Sequence, residues 1–402
     1  MIKNITHIRG FSCWGAHIGI KTQKRDLGII FSDVPCNVGS VYTNNVVLSE
    51  SLKVTKEHVS DGIAQAIIVV SGNANTCTGQ QGREGAMAMA RTLANELNIK
   101  PEDVIVGTTG VIGKEFPTAR IVSGIQKHAQ KLTRKKIAGS LAANAILTTD
   151  TFSKEGYQSF SIGNKRINMA GIAKGSGMIH PNMGTMLAFI CCDIAIQREL
   201  LQKAFKQAVD KSFNMISVDG DTSTNDMAFV LCNGLAKNKL INNEESEEYL
   251  IFKDKLEKLC LHLAQLIVTD GEGATKMIEY KVINAPDEES ARKIVRTVAD
   301  SSLVKTAIYG RDPNWGRIIA AAGRAGVVFD PEKIVLSVGT GKLIKLFENG
   351  GPVSFNVTRL KKMMRASHIY VTLNLNIGNK QAIGWGTDLT EEYVRFNSEY
   401  TT

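Results

Sequence analysis

The chain has 402 residues, of which 43% are apolar and 22% charged, and these proportions exclude disordered, collagen-like and coiled-coil chains. Its formal net charge of +9 favours small carboxylate metabolites over nucleic acid as partners, because the basic clusters 127–136 and 359–365 lack a recognised nucleic-acid module and interleaved aromatic residues. Since no apolar run could cross a bilayer and the N-terminus lacks a signal-like apolar core, we expect a cytoplasmic protein without membrane contacts.

Short apolar runs alternate with helical patterns along the whole chain. In chain order, strands are predicted over 27–31 and 66–71, a helix over 82–97, strands over 103–106 and 186–192, a helix over 194–210, a strand over 227–232, a helix over 247–267, a strand over 276–283, helices over 287–299 and 315–323, and strands over 334–338 and 369–375. The spacing of Ile125, Ala129 and Leu132 also predicts a helix whose solvated face is the basic cluster 127–136. This mixture predicts a layered α/β or α+β sandwich and leaves the topology open.

Several familiar kinds of site are absent from the sequence. The glycine-rich stretch 107–115 has one residue too many for a phosphate loop, and Glu115 follows Lys114 where that loop has Ser or Thr. The stretch 339–342 lacks the leading glycine. No G-x-S-x-G elbow is present, the seven histidines are dispersed, and the seven cysteines form no C-x-x-C pair. We therefore expect no metal, no cofactor and no hydrolase of the Ser-His-Asp type.

The most unusual stretch is 173–192, where a flexible glycine-bearing segment ends at Gly184 and an apolar run follows Thr185 directly. If the peptide bond before Thr185 were broken, its free α-amine would lie beside its own hydroxyl. An α-amine has a pKa of about 7.7–8.0 and can act as a base at neutral pH. Gly184 has no Cβ and tolerates the strained backbone that such a cleavage requires. On spacing alone, a loop that leads into a strand is the favoured interpretation of this stretch.

The segment 174–187 closely resembles the signature of the ArgJ family, the ornithine acetyltransferase/glutamate N-acetyltransferases of arginine biosynthesis. The resemblance extends nearly from end to end, through the runs 25–27, 71–75, 109–113, 148–151, 219–226, 270–276, 309–317 and 397–402.

This resemblance implies an ArgJ-type fold similar to that of N-terminal-nucleophile hydrolases. It also implies self-cleavage between Gly184 and Thr185 into an α chain, 1–184, and a β chain, 185–402, which stay together as one catalytic unit. The family more often has Ala where this chain has Gly184, and we expect cleavage to be retained because both residues are small. The expected assembly is a heterotetramer of two α and two β chains.

The resemblance also implies a role for each site residue. Thr185 is the nucleophile that takes the acetyl group from N-acetylornithine, releases ornithine and then acetylates glutamate to N-acetylglutamate by a ping-pong mechanism. Thr109 and Gly110 match the oxyanion hole. The residues that match the family's substrate contacts are Thr148, Lys174, Thr185, Glu272, Asn397 and Thr402. For the runs 219–226 and 309–317 we expect turn-forming and packing roles.

Three functional classes stay open on the sequence. The first is the acetyltransferase, with or without acetyl-CoA as a second acetyl donor. The second is a self-processing amidase or aminopeptidase, which would use the same nucleophile and pass the acyl group to water. The third is a non-catalytic α/β binding protein, which would stay uncut.

Overall fold

The computed structural model describes residues 3–180 and 186–399. The strands are β1 (Phe11–Ala16), β2 (Leu27–Tyr42), β3 (Ile63–Asn73), β4 (Val104–Val111), β5 (Lys154–Ile162), β6 (Lys165–Lys174), β7 (Leu187–Cys192), β8 (Ile216–Ser217), β9 (Met227–Cys232), β10 (Met277–Ala285), β11 (Val335–Thr340), β12 (Lys342–Glu348), β13 (Gly351–Pro352), β14 (His368–Asn374) and β15 (Lys380–Thr387). The α-helices are α1 (Glu50–His58), α2 (Gly79–Leu97), α3 (Thr118–His128), α4 (Lys136–Ala145), α5 (Arg198–Lys211), α6 (Glu247–Thr269), α7 (Glu288–Ala299), α8 (Ser302–Tyr309), α9 (Trp315–Gly323), α10 (Val357–Met363) and α11 (Glu391–Glu399).

The strands form two mixed sheets. The first runs β4-β3-β2-β9-β7-β6-β5, with β1 paired to β2. The second runs β13-β12-β11-β14-β10-β15-β8. In the first sheet β3 and β4 are parallel, as are β7 and β9, and the other pairs are antiparallel. Strands β9 and β7, which follow the predicted cleavage point, therefore lie between strands that precede it in the chain.

Strand β7 lies inside the first sheet and is covered on both faces. Ala188 and Ile190 point into the core that also contains α5 and α6, whereas Leu187 and Phe189 point into the core on the opposite face, which contains α4. The sequence of a strand that is buried on both faces is a continuous run of apolar residues. This burial explains the run from 186 to 192 that the sequence shows.

Helix α6 lies between the two sheets. It packs on β5 and β6 of the first sheet and on β8 and β15 of the second. Gly156 and Gly171 are register partners in the first sheet, and a Cβ on Gly156 would lie 2.5 Å from Leu259 Cδ1 of the helix. Glycine at this place therefore allows the helix to approach the sheet closely. The layered α/β prediction is confirmed.

Most predicted elements are present with shifted ends. The strand 227–232 and the helix 315–323 match the observed bounds, and the helix over 247–267 extends to Thr269. Two predictions are wrong in part. Helix α5 begins at Arg198 instead of 194, because Ile196 forms a parallel bridge with Ile241. In the basic cluster, α3 ends at His128, and a 3₁₀ turn carries the buried Ala129.

Candidate active site

A cavity of about 560 Å³ lies where β4, β6 and the loops around 148 and 272 meet. Six of the residues singled out from the sequence line it: Thr109, Gly110, Thr148, Lys174, Glu272 and Asn397. Met186, the residue after the predicted nucleophile, lines the same cavity. Gly184, Thr185 and Thr402 lie outside the described residues. Among the predicted positions that the structure describes, all therefore come together at one place.

Thr109 and Gly110 lie at the end of β4, beside Gly72 of the parallel neighbour β3. Gly110 has φ +135°, and a Cβ there would lie 2.4 Å from the carbonyl carbon of Gly72. Any side chain would push the two strands apart, so the sequence needs glycine at this position. The absence of a side chain also opens the backbone at Gly110 to the cavity.

Lys174 ends β6 and is half-buried in the cavity wall. Its ammonium donates a hydrogen bond of 3.1 Å to Thr109 Oγ1. Because a hydroxyl can accept from one group while it donates to another, Thr109 keeps its own proton to donate. Lys174 is also the register partner of Leu187 on β7. This pairing places the cation beside the start of the strand that follows Thr185.

A buried ion cluster connects the segments that carry Thr148, Lys174 and Glu272. The ammonium of Lys154, fully buried, bonds the carboxylates of Asp150 and Asp270. Asp150 also accepts from the backbone N–H of Thr148 at 2.9 Å and of Gly175 at 2.7 Å. Asp270 lies two residues before Glu272. Burial opposes ionisation of Asp150, but the ammoniums of Lys174 and Lys154 outweigh it and hold the pKa of that carboxyl below its usual range.

Glu272 lines the same cavity as the oxyanion-hole candidates and contacts helix α11. Its Oε2 accepts a hydrogen bond of 3.1 Å from the Asn397 side-chain amide. Burial raises the pKa of Glu272, and hydrogen bonds from Thr149 and Asn397 counteract part of this rise. A Cβ on Gly177 would lie 2.2 Å from the same oxygen, so the Gly177 backbone forms a close wall around the carboxyl.

The run 219–226, to which the sequence assigns no chemistry, forms another wall of this cavity. Asp219 accepts from the backbone N–H of Met178 at 2.6 Å and of Ile179 at 2.8 Å. Asn225 donates to the carbonyl of Thr108 at 2.9 Å and so supports the strand that carries Thr109. These contacts are of the packing and loop-holding kind that was expected for this run.

Asp226 is a site residue that the sequence reasoning missed. It lines the cavity and is buried, and within residues 3–180 and 186–399 its Oδ2 atom has no hydrogen-bond partner. Burial raises its pKa well above the ordinary value for Asp, against the opposing influence of Lys174. The sequence feature that could have identified Asp226 is its place at the end of the run 219–226, directly before the apolar strand β9.

Within residues 3–180 and 186–399, no group of three potential His, Cys, Asp or Glu ligands could hold a metal ion. Over the same residues, none of the helices combines the length and the apolar character that a membrane crossing needs.

Comparison with known proteins finds relatives that match nearly the whole chain. A model of the ArgJ family matches residues 12–402. The arginine biosynthesis bifunctional protein ArgJ of Caldanaerobacter subterraneus subsp. tengcongensis is 44% identical over 395 residues, which cover 98% of this chain and 97% of that protein. The protein of the same name from Thermotoga neapolitana is 47% identical over 399 residues, or 98% and 99% of the two chains. A crystal structure of the Bacillus halodurans ArgJ protein is 41% identical, with a TM-score of 0.43, over 45% of this chain and 94% of that chain.

Proposed function

The chain belongs to the ArgJ family, and from this premise we propose how its residues carry out acetyl transfer. It is an ornithine acetyltransferase and glutamate N-acetyltransferase of arginine biosynthesis. The single observation that carries the residue assignments is that one cavity gathers Thr109, Gly110, Lys174 and Glu272 around the strand that follows Thr185.

The first step we propose is self-cleavage. Thr185 is joined by one peptide bond to Met186, which lines the cavity. Its hydroxyl adds to the Gly184 carbonyl, the carbon–nitrogen bond breaks, and an ester remains that water hydrolyses. The products are a carboxylate on Gly184 and a free α-amine on Thr185. That amine then supplies the base that the mature nucleophile needs.

The second step is acetyl transfer by a ping-pong mechanism. The Thr185 hydroxyl attacks the acetyl carbonyl of N-acetylornithine, and the α-amine takes its proton and passes it to the departing ornithine amine. The amine of glutamate then attacks the acetyl ester and restores the hydroxyl. In both halves, the Thr109 hydroxyl and the Gly110 N–H donate to the oxyanion. Each such donor contributes on the order of 10²–10³ in rate.

Substrate binding follows from the charges in the cavity wall. Both amino acids carry an α-carboxylate, and we assign it to Lys174 with the Thr148 hydroxyl beside it. The Lys174 ammonium has three protons, of which the bond to Thr109 uses one. Glu272, held by Asn397, faces a substrate ammonium. Thr402 completes the substrate contacts in this proposal.

We further propose that the fragments 1–184 and 185–402 remain one unit after cleavage. Strand β7 pairs with β6 of the first fragment, and β9 pairs with β2. Two copies of each fragment would form the heterotetramer that the family resemblance implies. The protein is proposed to act in the cytoplasm, without a metal or other cofactor and without a nucleic-acid partner. Use of acetyl-CoA as a second donor is an additional proposal, and an assay with acetyl-CoA and glutamate as the sole substrates tests it.

The test of this function is an assay with N-acetylornithine in the presence and absence of glutamate. We expect formation of N-acetylglutamate and ornithine with glutamate, and little acetate without it. Thr185→Ala removes the activity and Thr185→Ser retains part of it. Fast acetate release that glutamate does not alter would instead identify an amidase that passes the acyl group to water.

A further inference from the structure

The run 25–27, which matches the family but has no role in the reasoning so far, holds a loop against the active-site cavity. Asp26 is fully buried. Its carboxylate accepts from the backbone N–H of Ile18 at 2.6 Å, of Ile20 at 2.7 Å and of Lys21 at 3.0 Å. A carboxylate with three backbone donors fixes the path of the loop, because charge-assisted bonds are stronger than neutral ones. The position of Lys21 is therefore set by the fold.

The side chain of Lys21 lies in the cavity wall near the oxyanion-hole candidates. Its Nζ donates a hydrogen bond of 2.8 Å to the carbonyl of Leu147, the residue before Thr148. A Cβ on Gly72 would lie 2.9 Å from Lys21 Cγ, and Gly72 is the register partner of Gly110. The ammonium end thus approaches Thr148, while the stem runs along the strand edge beside Gly110.

The Lys21 ammonium has protons left for a ligand. Among residues 3–180 and 186–399, no carboxylate oxygen lies within 4.0 Å of this ammonium. Lys154 in the buried cluster, in contrast, bonds two carboxylates. Leu147 uses one of its three protons. Burial lowers the pKa of Lys21 to about 8, with Lys24 and Lys174 lowering it further and Asp26 and Asp150 opposing them. A bound anion would stabilise the charged form of this half-buried amine.

The two amino acids between which the proposed reaction moves the acetyl group, ornithine and glutamate, differ in side-chain charge. Glutamate carries a second carboxylate, whereas ornithine carries an ammonium at the corresponding end. Lys174 meets the α-carboxylate that both share, and so it does not distinguish them. A selective site for glutamate needs a second cation in the same cavity. Lys21, Lys24 and Lys114 line it besides Lys174, and of these three Lys21 is half-buried whereas Lys24 and Lys114 are exposed.

Resting on the proposed acetyl transfer, we propose that Lys21 binds the side-chain carboxylate of glutamate and thereby selects glutamate as the acceptor. Lys21 is in this view a specificity-determining residue, separate from Lys174 and from the oxyanion hole.

The experiment compares glutamate with glutamine as acceptors in the full-length enzyme. Glutamine has nearly the same shape and lacks the charge. In Lys21→Met we expect the ratio of kcat/KM for glutamate over glutamine to fall by about tenfold or more, the effect of losing one charge-assisted hydrogen bond. The burst of ornithine released from N-acetylornithine without acceptor should stay within about twofold of the wild type.

The matched control is Lys165→Met, which removes the same charge from an exposed position that does not line the cavity and should leave the glutamate-to-glutamine ratio within about twofold of the wild type. An unchanged ratio in Lys21→Met, or an equal fall in Lys165→Met, would overturn the proposal. So would an equal loss with both acceptors. Absence of the ornithine burst in the wild type would instead refute the proposed function itself, so the two failures are distinguishable.

Discussion

Thr109 accepts a hydrogen bond from the Lys174 ammonium at 3.1 Å, and this contact links the candidate oxyanion hole to the candidate carboxylate-binding group. A cation on the oxygen of Thr109 makes its hydroxyl a better donor, because hydrogen bonds in a chain polarise one another. At the residue scale, the proposed acetyl transfer is therefore expected to depend on this hydrogen-bonded pair.

Removal of the Thr109 hydroxyl tests this point. We expect Thr109→Ala to lower kcat by on the order of 10²–10³, as the loss of one oxyanion donor does, with a smaller change in KM for N-acetylornithine. Thr109→Ser keeps the hydroxyl and serves as the matched control, so most of the activity should remain. Steady-state kinetics of both variants is the measurement, and equal rates for Ala and Ser at this position would exclude the hydroxyl as a donor.

The pH dependence of glutamate binding follows from Lys21. Its pKa is lowered to about 8 by burial, so the amine is charged below pH 8 and neutral above it. A carboxylate binds the charged form, and the KM for glutamate should therefore rise as the pH increases through about 8. Lys21→Arg stays charged throughout this range and should remove that rise. The same rise in both proteins would attribute the titration to another group.

At the scale of elements, the buried cluster of Asp150, Lys154 and Asp270 joins the start of β5 to the loop before it and to the turn after α6. The cluster fixes the backbone at Thr148 and Gly175 and holds the turn before Glu272. Thr148, Lys174 and Glu272, three of the proposed substrate contacts, lie on different segments of the chain, so their relative placement depends on these bonds.

Lys154→Met removes the cation that bonds the two buried carboxylates of Asp150 and Asp270. We expect a loss of unfolding free energy of about 3–5 kcal/mol and a rise in KM for both amino acids, because Thr148 and Lys174 lose their common support. Lys276→Met breaks another buried pair, with Asp388, and Lys276 does not line the cavity. It should lower stability with little change in KM. Denaturant unfolding and kinetics on both variants check the expectation, which fails if the KM of Lys154→Met stays at the wild-type value.

The elements also show what sequence can predict. The strands β7 and β9 were predicted because burial on both faces makes them continuously apolar. Strands β5 and β6 were missed because Lys, Glu, Gln, Ser and Arg side chains alternate with their small and apolar ones. The motif residues of the site were predicted through the family resemblance. Lys21 and Asp226 were not, because their places in the cavity depend on neighbours distant in sequence, such as Leu147 for Lys21.

At the scale of the whole molecule, the two proposed fragments share one sheet and one core. Strands β7 and β9 lie between β6 and β2, so separating the fragments would expose the edge of β7 that pairs with β6 and the face of β7 that packs toward α4. We expect 1–184 and 185–402 to elute together in size-exclusion chromatography and to separate only on global unfolding. Elution of a free fragment in native buffer would contradict the shared-sheet arrangement.

The most direct test of the central claim is the intact mass of the purified protein after incubation with N-acetylornithine alone. The account predicts two fragments that begin at Met1 and Thr185, with one acetyl group on the second fragment that disappears when glutamate is added. A single uncut chain of 402 residues, or cut fragments that never carry acetyl, would contradict the assignment of Thr185 as the nucleophile.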